Sequence, residues 1–177
     1  ANVIITISDD DAQSILVDPA AVTIAEGNAT GATVGVSLGQ QPDRDVVVNL
    51  AASDMGGATV EPATLTFTPA NYATKQNVKI VAPQDNDTAN ENVQINLTAA
   101  GIQSRSVAVT VTDDDTQAVV VSANTLEVNE AGTGTFTVRL AFDPGASVGV
   151  SVISADTTVA TVNPMVLNFN SANYAAG

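Results

Sequence analysis

Two groups of three consecutive aspartates, residues 9–11 and 113–115, are the densest concentration of charge in this sequence. Each group directly follows a stretch, "VIITIS" or "VAVTVT", with the composition and alternation of a β-strand. Adjacent carboxylates repel one another. Because the aspartate group occurs twice in the same context, we expect a positive charge that neutralises it. For oxygen ligands, divalent cations are the natural partner.

Further carboxylates fall in the predicted loops between these two groups. Because the loops of an antiparallel sandwich collect at its two ends, the directions of the flanking strands predict that these acidic loops share one end. Ca²⁺ takes about six to eight oxygen ligands with flexible geometry, so it suits such a cluster. The loop carboxylates are Glu26, Asp54, Asp85, Asp87 and Glu91, followed by the second aspartate group.

The composition limits the classes of function. The chain has 177 residues, with 5 Lys+Arg against 19 Asp+Glu and a formal net charge of −14, which disfavours binding to nucleic acids and to anionic membranes. With no His and no Cys, Ser–His and Cys–His nucleophiles and disulfides are excluded, and zinc sites are disfavoured. A glycosidase would normally have aromatic platforms, and aromatic residues make up only 3%. We therefore predict that the chain is not an enzyme.

An internal repeat organises the chain. Asp9 and Asp113 are 104 residues apart, and the same offset relates Gln13 to Gln117 and Glu26 to Glu130. Further along, "PATLTFTPANYA" at residues 62–73 matches "PMVLNFNSANYA" at residues 164–175 with an offset of 102. The repeat predicts three parts: the last strand of a preceding repeat at residues 1–8, a complete domain at residues 9–115, and the first part of a second domain at residues 116–177.

Short alternating segments separated by Gly, Pro, Asn and Asp clusters predict the strands of one repeat. They lie at residues 14–17, 22–25, 33–38, 45–51, 64–67, 77–81, 92–98 and 104–112. No segment has the period of a packed helix or the roughly 20 apolar residues of a membrane span. This pattern predicts an all-β fold of tandem immunoglobulin-like Greek-key β-sandwich domains, the second incomplete.

The pattern resembles the Calx-β domain, a calcium-binding sandwich. The matching elements are "AEG" with Glu26, "LTFTPANYATKQNVKI", the acidic loop before "ENVQINL", and the closing "VTVTDDD". This sequence departs from the family where Asn86 separates two aspartates and Thr88 stands near the place of a second Glu, which leaves the number of ions open. The resemblance implies Ca²⁺ ligands at Glu26, Asp54, Asp85, Asp87, Glu91, Asp113, Asp114 and Asp115.

Together these features predict a calcium-binding structural repeat, the stalk or spacer of an extracellular or cell-surface, adhesin-type protein. Its partners would be neighbouring repeats of the same polypeptide or other copies in a filament. The alternatives are a module that binds a glycan, ice or a protein, a regulatory Ca²⁺ sensor, and a subunit of a multi-chain filament. We expect the chain to be a piece of a longer polypeptide. In the alternative, another chain would donate a strand to complete the second domain, but the equivalents of residues 77–81 and 92–98 would still be missing.

Overall fold

The computed structural model describes residues 2–6 and 12–176, so the aspartate group at residues 9–11 lies outside the described residues. Within these ranges the secondary structure consists of β-strands and turns, with no helix. The strands are β1 (Ile15–Asp18), β2 (Ala21–Ala25), β3 (Ala32–Leu38), β4 (Val46–Ala52), β5 (Thr59–Glu61), β6 (Thr64–Phe67), β7 (Gln76–Val81), β8 (Glu91–Ala99), β9 (Ile102–Thr112), β10 (Val119–Val121), β11 (Val138–Leu140), β12 (Val148–Ser151) and β13 (Val166–Phe169).

The chain divides into two compact units. Unit 1 consists of Ala1–Asp85 and Asn90–Thr112, and unit 2 consists of Asn86–Ala89 and Asp113–Gly177. Over the described part of the chain, no helix is long and apolar enough to span a membrane.

Unit 1 is a β-sandwich of two sheets. One sheet has the strand order β1-β3-β7-β5 and the other has the order β2-β9-β8-β4-β6. Pro19 lies between β1 and β2, where it cannot continue a strand ladder, and the chain passes there from the first sheet to the second. β2 then pairs with β9 in parallel, while the other pairs of both sheets are antiparallel.

Alternation along the strands builds the core of unit 1. In β8 the apolar residues Val93, Ile95 and Leu97 are buried, and the polar residues between them are exposed. β9 buries every second residue in the same way through its C-terminal half. Burying a side chain of this size stabilises the fold by about 1.5–3 kcal/mol. The core therefore lies between the two sheets, as the period of two predicts.

The prediction of an all-β sandwich is confirmed, and each predicted strand has an observed counterpart, with identical bounds for β6 and ends that differ by one or two residues for the others. The short strand β5 was not predicted. It has only three residues and lies between a Gly-rich turn and Pro62, so its sequence is too short to show alternation. Its strand conformation comes from pairing with β7 at the edge of the first sheet.

Unit 2 contains two small sheets among its described residues, β10 paired with β11 and β12 paired with β13. Its buried core is Val138, Leu140 and Phe169. The repeated "NYA" motif has the same function in both units. The carbonyl of Tyr72 accepts a hydrogen bond from the Leu38 amide, and the carbonyl of Tyr174 accepts one from the Leu140 amide, both at 2.8 Å.

Candidate functional site

Glu26 is the buried carboxylate of unit 1, with a relative exposure of 3%. It directly follows β2, and its amide donates a hydrogen bond of 2.9 Å to the Thr112 carbonyl at the end of β9. Its side-chain Oε1 accepts a hydrogen bond from the Asp85 amide. A buried carboxylate costs folding free energy without polar partners, so these contacts hold Glu26 at the end of the β2–β9 pair.

The glycine in "AEG", Gly27, is required for steric reasons. Gly27 has a φ of +64°, and a Cβ at this position would lie 2.3 Å from Oε1 of Gln84. The turn closes with a hydrogen bond of 3.2 Å from the Asn28 amide to the Ala25 carbonyl. Only glycine accommodates both the left-handed backbone and the approach of Gln84 without strain.

The structure brings three of the predicted carboxylates of unit 1 together. Carboxylate oxygens of Glu26 and Asp85 lie within 4.8 Å of each other, and so do those of Asp85 and Glu91. Glu91 begins β8 and is half-buried, as is Asp85. Oxygen ligands of this kind suit Ca²⁺ better than softer metals.

Asp54 is not part of these carboxylate groups. Its Oδ1 accepts a hydrogen bond of 2.8 Å from the Gly56 amide, which forms a tight turn after β4. In the same loop, a Cβ at Gly57 would lie 2.8 Å from Val93 and 3.4 Å from Glu91. The loop of Asp54 therefore packs against the start of β8 through its glycine.

The other predicted ligands belong to unit 2. Oδ1 of Asp87 accepts a hydrogen bond of 2.7 Å from the Ala89 amide, and Oδ1 of Asp113 accepts one of 2.8 Å from the Asp115 amide. Asp114 is exposed, whereas Asp113 and Asp115 are half-buried. Each of these turns uses a carboxylate to shape the local backbone.

Asp156 occupies the position in the second repeat that matches Asp54. Its carboxylate accepts hydrogen bonds from the Thr158 hydroxyl at 2.6 Å and from the Thr158 amide at 2.9 Å. These bonds, the hydroxyl first, hold the pKa of Asp156 below its ordinary value of 3.8.

Unit 2 exposes apolar residues at positions that unit 1 buries. Ile24 of β2 is 3% exposed, and its repeat equivalent Val128 is 47% exposed. Val34 of β3 is 1% exposed, and its equivalent Phe136 is 39% exposed. In unit 1 these positions belong to the core, and their strands β2 and β3 are flanked by β9 and β7. Comparing the two repeats position by position reveals this surface, which the sequence analysis did not identify.

A groove lies in this part of unit 2. It has a volume of about 350 Å³, and its apolar lining includes Phe136, Val138, Leu167 and Phe169. The matching residues of unit 1 are buried in its core: Val34, Val36, Leu65 and Phe67. The groove is thus the opening of a sandwich interior, and we call it the unit 2 groove. A second cavity, of about 600 Å³, is lined by polar, charged and apolar residues of unit 1 and contains none of the predicted ligands.

Comparison with known proteins finds no matching family model and no matching curated protein. Among solved structures the chain is similar to the periplasmic chaperone SfaE, at 10% identity and a TM-score of 0.44, covering 57% of this chain and 58% of that one. It is also similar to the E. coli chaperone DraB, at 13% identity and a TM-score of 0.44, covering 78% and 90%. The YadV chaperone matches at 11% identity and a TM-score of 0.43, covering 75% and 68%. Likeness at this level assigns no function to the chain.

The resemblance to the Calx-β family is contradicted. No family model matches the chain, and the similar structures just described are chaperones. The calcium-binding stalk or spacer function, which depended on that resemblance, is therefore wrong too. The physical reason is that acidic turns between short strands satisfy general rules of β-sandwiches and do not specify one family. The comparisons do not test the individual Ca²⁺ ligands, which stay a prediction, and do not show neighbouring repeats as partners.

Proposed function

We propose that this chain is a non-catalytic module that binds a protein partner by β-strand addition to its second unit. The observation that carries the proposal is the unit 2 groove, whose apolar lining matches core positions of unit 1. We also propose that the chain is located outside the cytoplasm. The similar chaperone SfaE is described as periplasmic.

Two strand edges beside the groove support this mode of binding. β11 pairs with β10, and β12 pairs with β13; in the described part of unit 2 neither β11 nor β12 has a strand on its other side. The matching strands of unit 1, β3 and β4, each have neighbours on both sides. An added strand would satisfy edge amides and carbonyls and place alternate side chains in the groove.

The chemistry of the groove restricts the partner. Its lining combines aromatic and branched apolar side chains, so a fitting segment is extended and apolar at every second residue. The net charge of −14 repels an acidic partner at long range. A neutral or basic β-strand segment of another protein therefore fits best.

The test uses a peptide whose pattern is known to fit a sandwich of this type. A labelled peptide with the sequence of residues 76–81, "QNVKIV", is titrated with the full chain while its fluorescence anisotropy is recorded; this is β7, which pairs with β3, the unit 1 counterpart of β11. We expect saturable binding, no binding of a scrambled peptide, and at least about tenfold weaker binding by Phe136→Asp, since an apolar contact in the groove is replaced by a charge.

Val47→Asp is the matched control, because Val47 is an apolar residue of similar exposure on β4 of unit 1. It should leave the affinity unchanged. Equal binding of the scrambled peptide, or equal loss in both Asp variants, would overturn the proposal.

A further inference from the structure

An apolar segment precedes the first sandwich. Residues 2–6, "NVIIT", carry no charge, and Val3, Ile4 and Ile5 are exposed. With the repeat offset of 104, these residues match residues 106–110 of β9. Ile5, at 80% exposure, matches Val109, which is 1% exposed in the core of unit 1. The segment thus has the side-chain pattern of a strand that is buried elsewhere in the same molecule.

β9 shows where such a strand belongs. It pairs in parallel with β2, with Val22 opposite Val109 and Ala21 opposite Ala108. The repeat equivalents of β2 in unit 2 are residues 125–129, which the structure shows without strand pairing. Leu126 and Val128 in this stretch are exposed. One molecule therefore presents both a β9-like segment and a β2-like stretch, each with its apolar side chains in solvent.

We propose that the occupant of this edge is residues 2–6 of a second copy of the chain, which pair in parallel with residues 125–129. The proposal rests on the proposed function and names its partner. Transferring the β2–β9 register through the repeat places Ile4 opposite Thr125, Ile5 opposite Leu126 and Thr6 opposite Glu127. Ile5 then takes the inward position of Val109.

The geometry determines the form and strength of the assembly. Donor and acceptor are different surfaces of one chain, so the contact is heterologous and extends head to tail. A five-residue strand buries well below the roughly 1,200 Å² of a stable interface, so the association is weak and reversible. Each copy has a net charge of −14, so the copies repel one another and added salt should strengthen the association by screening this repulsion. Residues 2–6 carry no charge, so salt should not weaken the contact itself.

Sedimentation velocity of the full chain over a range of concentrations tests the proposal. We expect concentration-dependent oligomers, with association at least about tenfold weaker in Ile5→Asp and in Val128→Asp and unchanged in Val47→Asp. An equimolar mixture of Ile5→Asp and Val128→Asp retains one intact donor and one intact acceptor. This mixture should form dimers and nothing larger, which a general loss of folding in either variant would not produce.

Cross-linking tests the register, because the native chain has no cysteine. Thr6→Cys mixed with Glu127→Cys should form an intermolecular disulfide under mild oxidation, and Thr6→Cys mixed with Ala155→Cys should not. A monomer at all concentrations, or equal cross-linking in both mixtures, overturns the inference. If the peptide of residues 76–81 still binds at the unit 2 groove, the proposed function survives and only the choice of partner is wrong.

Discussion

Gln13 clamps the backbone of Gln40 through both ends of its side-chain amide. Its Nε2 donates to the Gln40 carbonyl at 2.6 Å, and its Oε1 accepts from the Gln40 amide at 3.0 Å. The same Oε1 accepts from the Ser14 amide at 2.9 Å. Gln117 forms the equivalent clamp on Phe142 in unit 2, where its Nε2 donates to the carbonyl at 2.8 Å and its Oε1 accepts from the amide at 3.2 Å. This repeated glutamine therefore fastens the turn after β3 or β11 to the segment before β1 or β10.

Gln13→Ala should destabilise unit 1 by about 1 kcal/mol, since backbone groups lose their partner. Hydrogen exchange of the full chain, read at the Gln40 and Ser14 amides, should show faster exchange. Gln94→Ala, on the exposed face of β8, is the matched control and should leave these amides protected. Equal exchange in the two variants would show that the clamp contributes nothing.

Ca²⁺ should stabilise the native chain if Glu26 is a ligand, because an ion that binds only the folded state raises the free energy of unfolding. At a free Ca²⁺ concentration 100 times Kd the gain is about 2.7 kcal/mol. Thermal melts with EDTA or with Ca²⁺ measure it, and Mg²⁺ tests for selectivity.

Glu26→Gln should abolish most of the Ca²⁺-dependent gain, whereas Glu61→Gln, at an exposed position of β5, should retain it. Identical melts of the native chain in EDTA and Ca²⁺ would contradict the predicted ligand set.

Gly31→Ala should destabilise unit 1 more than Gly101→Ala. Both glycines have a positive φ, +64° and +73°, so each substitution introduces backbone strain of about 1–2 kcal/mol. A Cβ at Gly31 would also lie 2.2 Å from the Ile80 carbonyl oxygen, while a Cβ at Gly101 meets nothing within 4 Å. The overlap should add about 1–3 kcal/mol. Urea unfolding of the two variants measures the difference, and equal midpoints would refute the close approach.

The carboxylate of Asp156 should titrate below its ordinary pKa because Thr158 donates to its charged form. Since the folded pKa is lower than the unfolded one, the contribution to stability is present at neutral pH and is lost as the pH falls through the folded pKa. In Thr158→Val, an NMR titration should find the pKa of Asp156 raised towards 3.8. Thr157→Val is the neighbouring control, and an equal rise there would argue against the hydroxyl as the cause.

The sequence alone predicted most local features of unit 1 correctly, with β5 as the exception. Alternation of Val, Ile and Leu with polar residues determines which face of β8 or β9 is buried, because the strand period is two. The repeat offset correctly related Gln13 to Gln117 and Tyr72 to Tyr174, whose hydrogen bonds are the same in both units. By contrast, the family assignment drawn from short strand motifs and acidic turns was wrong, since such features occur in many sandwiches.

Only the tertiary structure decided which strands become neighbours and which side chains they cover. The parallel pairing of β2 with β9 joins segments more than 80 residues apart, and no local pattern specifies it. Non-local packing also brings Glu26, after β2, to Asp85, after β7 in the other sheet, and leaves Asp54 outside the carboxylate groups. It also decides that Ile24 is buried while Val128, with an equally apolar side chain, is exposed. Whether a side chain is buried depends on the strands that pack against it, and those strands lie far from it in the sequence.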